Sequence, residues 1–237
     1  MTKVALVTGG NRGIGLEVAR QLAQSGHTVV VGARDAGRGE HAEATLLGEG
    51  LDASSVRCDV TDPAVIKAAA EAIAARYGRL DVLVNNAAIA PEEGPPSEAT
   101  LEVLRATYET NVFGVVTVIQ AFLPLLRASA AGRIVNVSSG SGSLAEVSGP
   151  GWRAEWNGLS YNTSKSALNA LTVAFAVELR DTPVKINAVN PGYTATDMSP
   201  DATRSPALAA AVVHRYATLP DDGPSGGFFD ENGPIPW

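Results

Sequence analysis

The chain is short of cysteine and of long apolar runs, and each shortage excludes a class of protein. Its single cysteine, Cys58, cannot form an internal disulfide, and the first residues, MTKVALVTGG, lack the apolar stretch behind a basic flank that a secretory signal needs. We therefore expect a reducing, cytoplasmic location. The apolar stretch at 112–126 is interrupted by glycine, threonine, glutamine and proline, so the sequence predicts no membrane span.

Basic residues are also scarce, and this argues against an anionic partner. The chain has 18 basic and 25 acidic residues, a formal net charge of -7 at pH 7, and no basic tract. A surface that binds nucleic acid or an anionic membrane usually concentrates Lys and Arg. We therefore expect neither partner. With 237 residues, 45% of them hydrophobic, the chain is long and apolar enough to bury the core of one folded domain, 1–237.

β-Branched runs alternate with helical patterns along the chain. The runs lie at 4–8, 28–34, 54–60, 80–87, 133–139, 184–190 and 226–230. Between them, alanine-rich segments such as Gly13–Gln24, Pro63–Tyr77 and 164–179 repeat apolar residues at three- and four-residue spacing. Runs that are apolar at nearly every position are typical of a parallel sheet covered by helices on both faces. The sequence therefore predicts an α/β fold, a single domain with a Rossmann-like, doubly wound parallel seven-stranded sheet.

A glycine-rich turn, TGGNRGIG at 8–15, directly follows the first predicted strand and opens the first predicted helix. In this context Gly9 can form the tight turn, Gly13 lets the backbone approach a pyrophosphate, and Gly15 lets the helix pack closely on the strand. The helix N-terminus adds free N–H groups and partial positive charge. The turn favours nucleotide binding over the alternative, an ordinary glycine-rich connection.

Motifs along almost the whole chain follow one family pattern. After the turn, with its spacing TGxxxGxG, come Asp59-Val60, NNAA at 85–88, Asn111 in NVFG, Ser139 ending VNVSS, YNTSK at 161–165 and NPGYTATDM at 190–198. In this order they resemble the short-chain dehydrogenase/reductase family, and within it the NADP-dependent carbonyl-reductase-like branch. The resemblance implies an NADP(H)-dependent enzyme that reduces the carbonyl of a small-molecule ketone or aldehyde to an alcohol, reversibly. The implied cofactor-binding residues are Gly9, Asn11, Arg12, Gly13, Ile14, Gly15, Arg34, Asp59, Val60, Asn85, Asn86, Ala87, Tyr161, Lys165, Pro191, Gly192, Thr194 and Thr196.

The end of the second predicted strand indicates which dinucleotide is bound. By resemblance, Ala33 fills the position of the acid that selects NAD, and Arg34 follows it. Arg12 lies in the glycine turn, and two guanidinium groups near one ribose favour a 2′-phosphate, hence NADP(H). Asp35 is a rival, as a ribose-binding acid. We favour its other role, the N-cap of a helix that starts at Ala36.

The reacting centre is predicted from YNTSK. Tyr161 and Lys165 are four residues apart and share one helix face, a pattern that alone is usually a solvated pair. The family resemblance makes Tyr161 the proton donor and gives Lys165 two roles, to hold the nicotinamide ribose and to lower the phenol pKa. It makes Ser139 the group that polarises the carbonyl and Asn111 the anchor of a water that links the lysine to solvent. Ser138 competes with Ser139, but neighbours on a strand point to opposite faces, and the family register favours Ser139.

The substrate side is predicted from an insertion between Ser139 and Tyr161 that carries Trp152 and Trp156. An aromatic loop there would cover the pocket; the alternative is that both tryptophans pack the insertion onto the body. With no fixed charge, the expected mouth favours uncharged ketones or aldehydes over acids. The predicted substrate-binding residues are Ser139, Trp152, Trp156, Tyr161, Tyr193 and Met198, with Ile89 and Ala90 at the mouth.

Two other functions stay open at this point. A 3-oxoacyl-carrier-protein reductase would need a basic patch beside the pocket, which Arg127 and Arg133 hardly provide. A non-catalytic NADP-binding sensor would have no chemical need for a lysine-paired tyrosine. The three histidines and Cys58 have no metal-site spacing, so we expect no metal. Monomer, dimer and tetramer are all compatible with the sequence, and Ala88, where many relatives have glycine, is expected to be tolerated unless its φ is positive.

Overall fold

The computed structural model describes residues 2–152 and 157–237. Its centre is one parallel sheet of seven strands in the order β3-β2-β1-β4-β5-β6-β7. This confirms the predicted Rossmann-like, doubly wound fold. The strands are β1 Val4–Thr8, β2 Thr28–Ala33, β3 Ala53–Arg57, β4 Val82–Asn85, β5 Arg133–Val137, β6 Lys185–Val189 and β7 Phe228–Phe229.

The helices cover both faces of this sheet. They are α1 Gly13–Gln24, α2 Ala36–Gly48, α3 Pro63–Tyr77, α4 Leu101–Tyr108, α5 Gly114–Arg127, α6 Leu144–Val147, α7 Leu159–Glu178 and α8 Pro206–Ala217. Two apolar clusters fill the layers: one packs α1, α2 and α8 on the sheet, and the other packs α3, α5 and α7 on its opposite face. The strands are therefore apolar on both sides, as their sequences indicated.

The strand order reverses between β1 and β4, which are neighbours in the sheet although β2 and β3 separate them in the chain. In a doubly wound sheet, ligands bind in the crevice outside the carboxyl ends of the strands at this reversal. Most predicted strands extend too far at this edge. The chain leaves the sheet after Asn85 and after Val137, so the predicted strand residues at 86–87 and 138–139 lie in the crevice loops instead.

One predicted helix begins too late. The structure starts α7 at Leu159, ahead of the predicted 164. The buried face of this first part carries Ser160, Asn162 and Ser164, so the apolar periodicity that marks a helix is missing there.

A continuous helical stretch of 27 residues, Leu101–Arg127, contains α4, a π-helical turn at Glu109–Phe113 and α5. By length and composition it is apolar enough to cross a membrane, but 44% of its most apolar window is buried inside the protein. Val118, Ile119 and Phe122 are fully buried in the cluster beneath the sheet. The stretch is a core helix of this fold.

Candidate active site

The glycine turn has the backbone geometry that the sequence predicts. Gly13 has a φ of 54°, which L side chains rarely adopt. A Cβ on Gly15 would lie 2.4 Å from the Gly9 carbonyl oxygen, so only glycine lets α1 approach the turn. The Asn86 side-chain amide donates to the carbonyl oxygens of Thr8 (3.0 Å) and Gly9 (3.1 Å), which fixes the turn to the loop after β4.

A cleft of about 1270 Å³ opens at the carboxyl edge of β1, β4 and β5, above the point where the strand order reverses. This volume exceeds the range of about 300–1,000 Å³ that is typical of sites for single small molecules, as expected for a dinucleotide together with a small substrate. Almost every predicted cofactor-binding residue lines it. They are Gly9, Asn11, Arg12, Gly13, Ile14, Gly15, Arg34, Asp59, Val60, Asn86, Ala87, Tyr161, Lys165, Pro191, Gly192, Thr194 and Thr196.

Asn85 is the exception among them, because it does not line the cleft. It is the last residue of β4, is 3% exposed, and donates its side-chain amide to the Asn136 side-chain oxygen on β5 at 2.9 Å. Adjacent residues at a strand end point to opposite sides, so Asn86 faces the cleft while Asn85 ties β4 to β5.

Three exposed arginines, Arg12, Arg34 and Arg38, line one end of the cleft. Arg12 forms an ion pair with Asp197 across the opening (2.5 Å). Asp35 accepts a hydrogen bond from the Arg38 backbone N–H at 2.9 Å and caps α2, so the capping role is confirmed. Sequence reasoning missed Arg38. Its spacing of four residues from Arg34 was the available signal, because the first turn of α2 lies beside the end of β2.

The two serines after β5 face different ways. The Ser138 hydroxyl is buried and donates to the Asn169 side-chain oxygen at 2.7 Å. The Ser139 hydroxyl lies close enough to the Tyr161 phenol to lower its pKa. It accepts from the Ser141 backbone N–H at 3.2 Å and lies 3.0 Å from the Ser141 hydroxyl oxygen. The geometry agrees with the predicted preference for Ser139 over Ser138 at the reacting centre.

Tyr161 and Lys165 project from consecutive turns of α7 into the same part of the cleft, with the lysine Nζ 5.5 Å from the centre of the tyrosine ring. Burial raises the pKa of Tyr161, and the hydrogen bond with Ser139 offsets part of that rise. Burial lowers the pKa of Lys165 to about 8. The expected depression of the phenol pKa by Lys165 is absent, because the lysine Nζ donates to the Val137 carbonyl oxygen at 2.8 Å instead.

Asn111 lies in the π-helical turn between α4 and α5 and is 1% exposed. Its side chain accepts from the Ile89 backbone N–H and donates to the Ile89 carbonyl oxygen, both at 2.9 Å, and also donates to the Ser164 hydroxyl at 3.1 Å. It therefore joins the loop after β4 to α7 beside Lys165. Its predicted role as the anchor of a water stays a prediction.

The predicted substrate residues Trp152, Tyr193 and Met198 line the cleft together with Ile89 and Ala90. Tyr193 is 64% exposed, Met198 is 45% exposed, and the Tyr193 hydroxyl donates to Asp201 at 2.6 Å. Trp156 lies outside the described residues. Ala88 lines the cleft as well, and because none of the described residues except glycines has a positive φ, its methyl group is tolerated as expected.

A model of the short chain dehydrogenase family matches residues 3–207. The chain belongs to the short-chain dehydrogenase/reductase family. It is 34% identical to salutaridine reductase of Papaver bracteatum over 96% of this chain and 94% of that protein. It is 33% identical to carbonyl reductase (NADPH) 1 of Sus scrofa over 100% of this chain and 94% of that protein. The structure of carbonyl reductase from chicken fatty liver with NADPH bound is similar with a TM-score of 0.87 and 30% identity, covering 100% of this chain and 99% of that chain.

The residues of this family member fit its cofactor, NADP(H). The left-handed Gly13 and the free N-terminus of α1 suit a pyrophosphate, and the three arginines suit the 2′-phosphate of the adenine ribose. Tyr161 and Lys165 lie at the other end of the same cleft. The chain is therefore an NADP(H)-dependent oxidoreductase that interconverts alcohols and carbonyl compounds.

Proposed function

We propose that this enzyme reduces the carbonyl of a small or medium-sized, uncharged ketone or aldehyde and runs in reverse as an alcohol dehydrogenase. One observation carries the proposal: Ser139, Tyr161 and Lys165 converge in a cleft that is also lined by Ile89, Trp152 and Met198. The hydroxyl groups there can meet a carbonyl oxygen, and the apolar lining can hold the groups on either side of it.

The chemistry divides between the cofactor and the chain. NADPH, when bound, supplies the hydride that the carbonyl carbon receives. Ser139 donates a hydrogen bond to the carbonyl oxygen and stabilises the negative charge that develops there. Tyr161 then transfers its phenolic proton to this oxygen, so the product is a neutral alcohol. A raised phenol pKa keeps Tyr161 protonated and ready to donate.

Lys165 supports both partners in this step. Its Nζ is held by the Val137 carbonyl oxygen at 2.8 Å and is 5.5 Å from the Tyr161 ring centre. From this position its positive charge stabilises the negative charge left on the tyrosine after proton transfer. Ribose hydroxyls of the bound cofactor are the natural acceptors for its remaining N–H groups.

The charges around the opening favour an uncharged substrate. Asp201 belongs to the loop that carries Tyr193 and Met198 and lines the same cleft, and Asp197 on this loop is paired with Arg12. A carboxylate substrate would approach these acids and lose its hydration on the apolar lining. Neutral carbonyl compounds avoid both costs.

Reduction of a carrier-bound 3-oxoacyl group is disfavoured by the two arginines that could have received an acidic carrier. Arg127 is paired with Glu178 at 2.8 Å, and Arg133 is 3% exposed and donates to Asp221 and to backbone carbonyls. Neither forms a free basic patch. A sensor without catalysis has no use for the Ser139–Tyr161 contact. We place the reaction in the cytoplasm because the single cysteine suits a reducing compartment.

The test is oxidation of NADPH, with NADH in parallel, by the purified protein against neutral ketones, aldehydes, keto acids and an acetoacetyl thioester. Tyr161→Phe, which retains the ring and removes the proton, is the matched control. We expect turnover of neutral carbonyls with NADPH that the control lacks. Turnover of only the thioester or only the acids would overturn the substrate class. Tight NADPH binding with no turnover of any carbonyl would favour the sensor.

A further inference from the structure

Ser139 lies just beyond the last backbone hydrogen bond between the end of β5 and the neighbouring strand β6. The last ladder bond on this side runs from the Ser138 backbone N–H to the Val189 carbonyl oxygen at 2.8 Å. After it the chain enters a 3₁₀ turn, Gly140–Gly142. We refer to 138–142 as the Ser139 turn. Within the turn, the Ser141 backbone N–H donates to the Ser139 hydroxyl oxygen at 3.2 Å and the Gly142 N–H donates to the Ser139 carbonyl oxygen at 2.9 Å. Since the reaction needs the Ser139 hydroxyl at a fixed place beside Tyr161, the turn as a whole must also be fixed to α7.

The contact comes from Asn169 on α7, one helical turn after Lys165. Its side-chain oxygen accepts a hydrogen bond from the Ser138 hydroxyl at 2.7 Å, and its side-chain amide donates to the Gly142 carbonyl oxygen at 3.1 Å. All of these groups are buried, and Asn169 itself is 3% exposed. The side chain of Asn169 therefore holds the Ser139 turn at two points, one before and one after Ser139.

The same helix also supports the turn directly. A Cβ on Gly142 would lie 2.8 Å from the backbone carbon of Lys165, so the turn packs against the backbone of α7. Lys165 donates its Nζ to Val137, the residue before the turn. The turn that carries Ser139 is thus fastened to the helix that carries Tyr161 and Lys165.

We propose that Asn169 is a positioning residue that sets the Ser139 hydroxyl against Tyr161 by holding Ser138 and Gly142 together. The kinetic part of this inference rests on the proposed carbonyl reduction. Asn169 touches neither the reacting atoms nor the cofactor cleft. Its effect on the reaction passes entirely through Ser139.

The chain offers a matched control one turn further along α7. Thr172 is 0% exposed, and its hydroxyl oxygen accepts from the Asn136 side-chain amide on β5 at 2.9 Å. This pair joins α7 to β5 itself, whereas Asn169 joins α7 to the Ser139 turn that follows β5. A role confined to helix docking predicts equal effects of Asn169→Leu and Thr172→Val on activity.

The kinetic experiment is a double-mutant cycle on the holoenzyme. We expect Asn169→Leu to lower kcat about 10- to 100-fold with little change in the Kd of NADPH, and Thr172→Val to leave kcat within about twofold. In a Ser139→Ala background, Asn169→Leu should change kcat by less than about twofold. Ser138→Ala, a smaller change that removes one of the two bonds, should show the same pattern if Asn169→Leu fails to fold. Additive losses, or equal losses in Asn169→Leu and Thr172→Val, would overturn the proposal.

A second readout does not depend on turnover. The Ser139 hydrogen bond lowers the pKa of Tyr161, so its loss raises that pKa. Tyrosinate absorbance of the NADP⁺ complex, with Tyr161→Phe subtracted, should move to higher pH in Asn169→Leu and stay in place in Thr172→Val. This shift in a protein without carbonyl turnover would refute the proposed function and retain the positioning role. Normal turnover without the shift would refute the positioning role and retain the function.

Discussion

The two ends of the cleft differ in the burial of their side chains and in how firmly hydrogen bonds hold them. At the reacting end, Lys165 is 3% exposed and hydrogen bonded to the backbone, and the Ser139 turn is held from below by the buried Asn169. At the arginine end, Arg12, Arg34 and Arg38 are all exposed, and Arg12 forms its ion pair with Asp197, which is also exposed. Buried groups with fixed partners keep one geometry, whereas exposed side chains adapt to whatever ligand arrives.

The difference predicts a division of labour. Changes at Ser139 and Tyr161 should alter the rate of chemistry and leave cofactor affinity nearly intact, because these groups act on the substrate oxygen. Changes at the arginine end should alter the choice between NADPH and NADH and leave kcat nearly intact.

Apart from loss of the proton donor Tyr161, the largest of these effects is expected for Ser139→Ala. Removing a preorganised donor to the developing oxyanion usually costs about 10²- to 10³-fold in kcat. The Kd of NADPH, measured by fluorescence titration, should change less than about twofold. If NADPH affinity fell as much as kcat, the proposed separation of roles between the two ends of the cleft would be wrong. Ser138→Thr, which keeps the hydroxyl that faces Asn169, serves as the neighbouring control.

The next effect is expected at the arginine end. Arg34→Ala should weaken NADPH binding about 10- to 100-fold, because a charge-assisted contact with the 2′-phosphate is lost. NADH binding should hardly change. Arg38→Ala tests the arginine that the sequence reasoning missed and should shift the preference in the same direction. An unchanged ratio of NADPH to NADH affinities in both variants would refute the assignment of this end.

The pH dependence of activity tests the buried, reacting end of the cleft. The pKa of Lys165 is about 8, so the side chain is charged below that pH and neutral above it. We expect kcat/KM for NADPH, which reports the free enzyme, to fall above pH 8 by up to about tenfold per pH unit. Lys165→Arg keeps its charge throughout this range and should flatten the profile. A wild-type profile that stays level to pH 10 would contradict the role of this charge.

The smallest effect separates the two roles of Asp35. As the N-cap of α2 it should contribute about 1 kcal/mol to the free energy of unfolding, so Asp35→Ala lowers the melting temperature while Asp35→Asn retains most of it. The ratio of NADPH to NADH affinities should not change in Asp35→Asn. A selective loss of NADH binding would instead identify Asp35 as a ribose-binding acid.

The sequence predicted the sheet and the cleft well because both depend on local patterns. Apolar runs placed all seven strands, and the glycine spacing placed the phosphate-binding turn at the carboxyl end of β1. The alternation of side chains on a strand showed that only one of Ser138 and Ser139 can reach the site, and the family register favoured Ser139. The same alternation, applied at the end of β4, would have turned Asn85 away from the cofactor.

The rest depended on contacts between distant parts of the chain. The start of α7 is fixed by Glu93, which accepts hydrogen bonds from the backbone N–H and the hydroxyl of Ser160, and no local signal marks that pair. Asn169 interrupts the apolar pattern of α7. Its role becomes visible only from its hydrogen bonds with Ser138 and Gly142, which the sequence pattern does not show. The raised pKa of Tyr161 likewise reflects burial, which the spacing to Lys165 does not encode.

The most direct test of the division of labour measures kcat and the Kd of NADPH together in Tyr161→Phe and in Arg34→Ala. Each variant should change one of these two constants and leave the other nearly unchanged. Tyr161→Phe should lose about 10²- to 10⁴-fold in kcat with an unchanged Kd, and Arg34→Ala should lose affinity for NADPH but keep its kcat at saturation. Near-normal turnover in Tyr161→Phe, or parallel losses of both constants in both variants, would contradict the account.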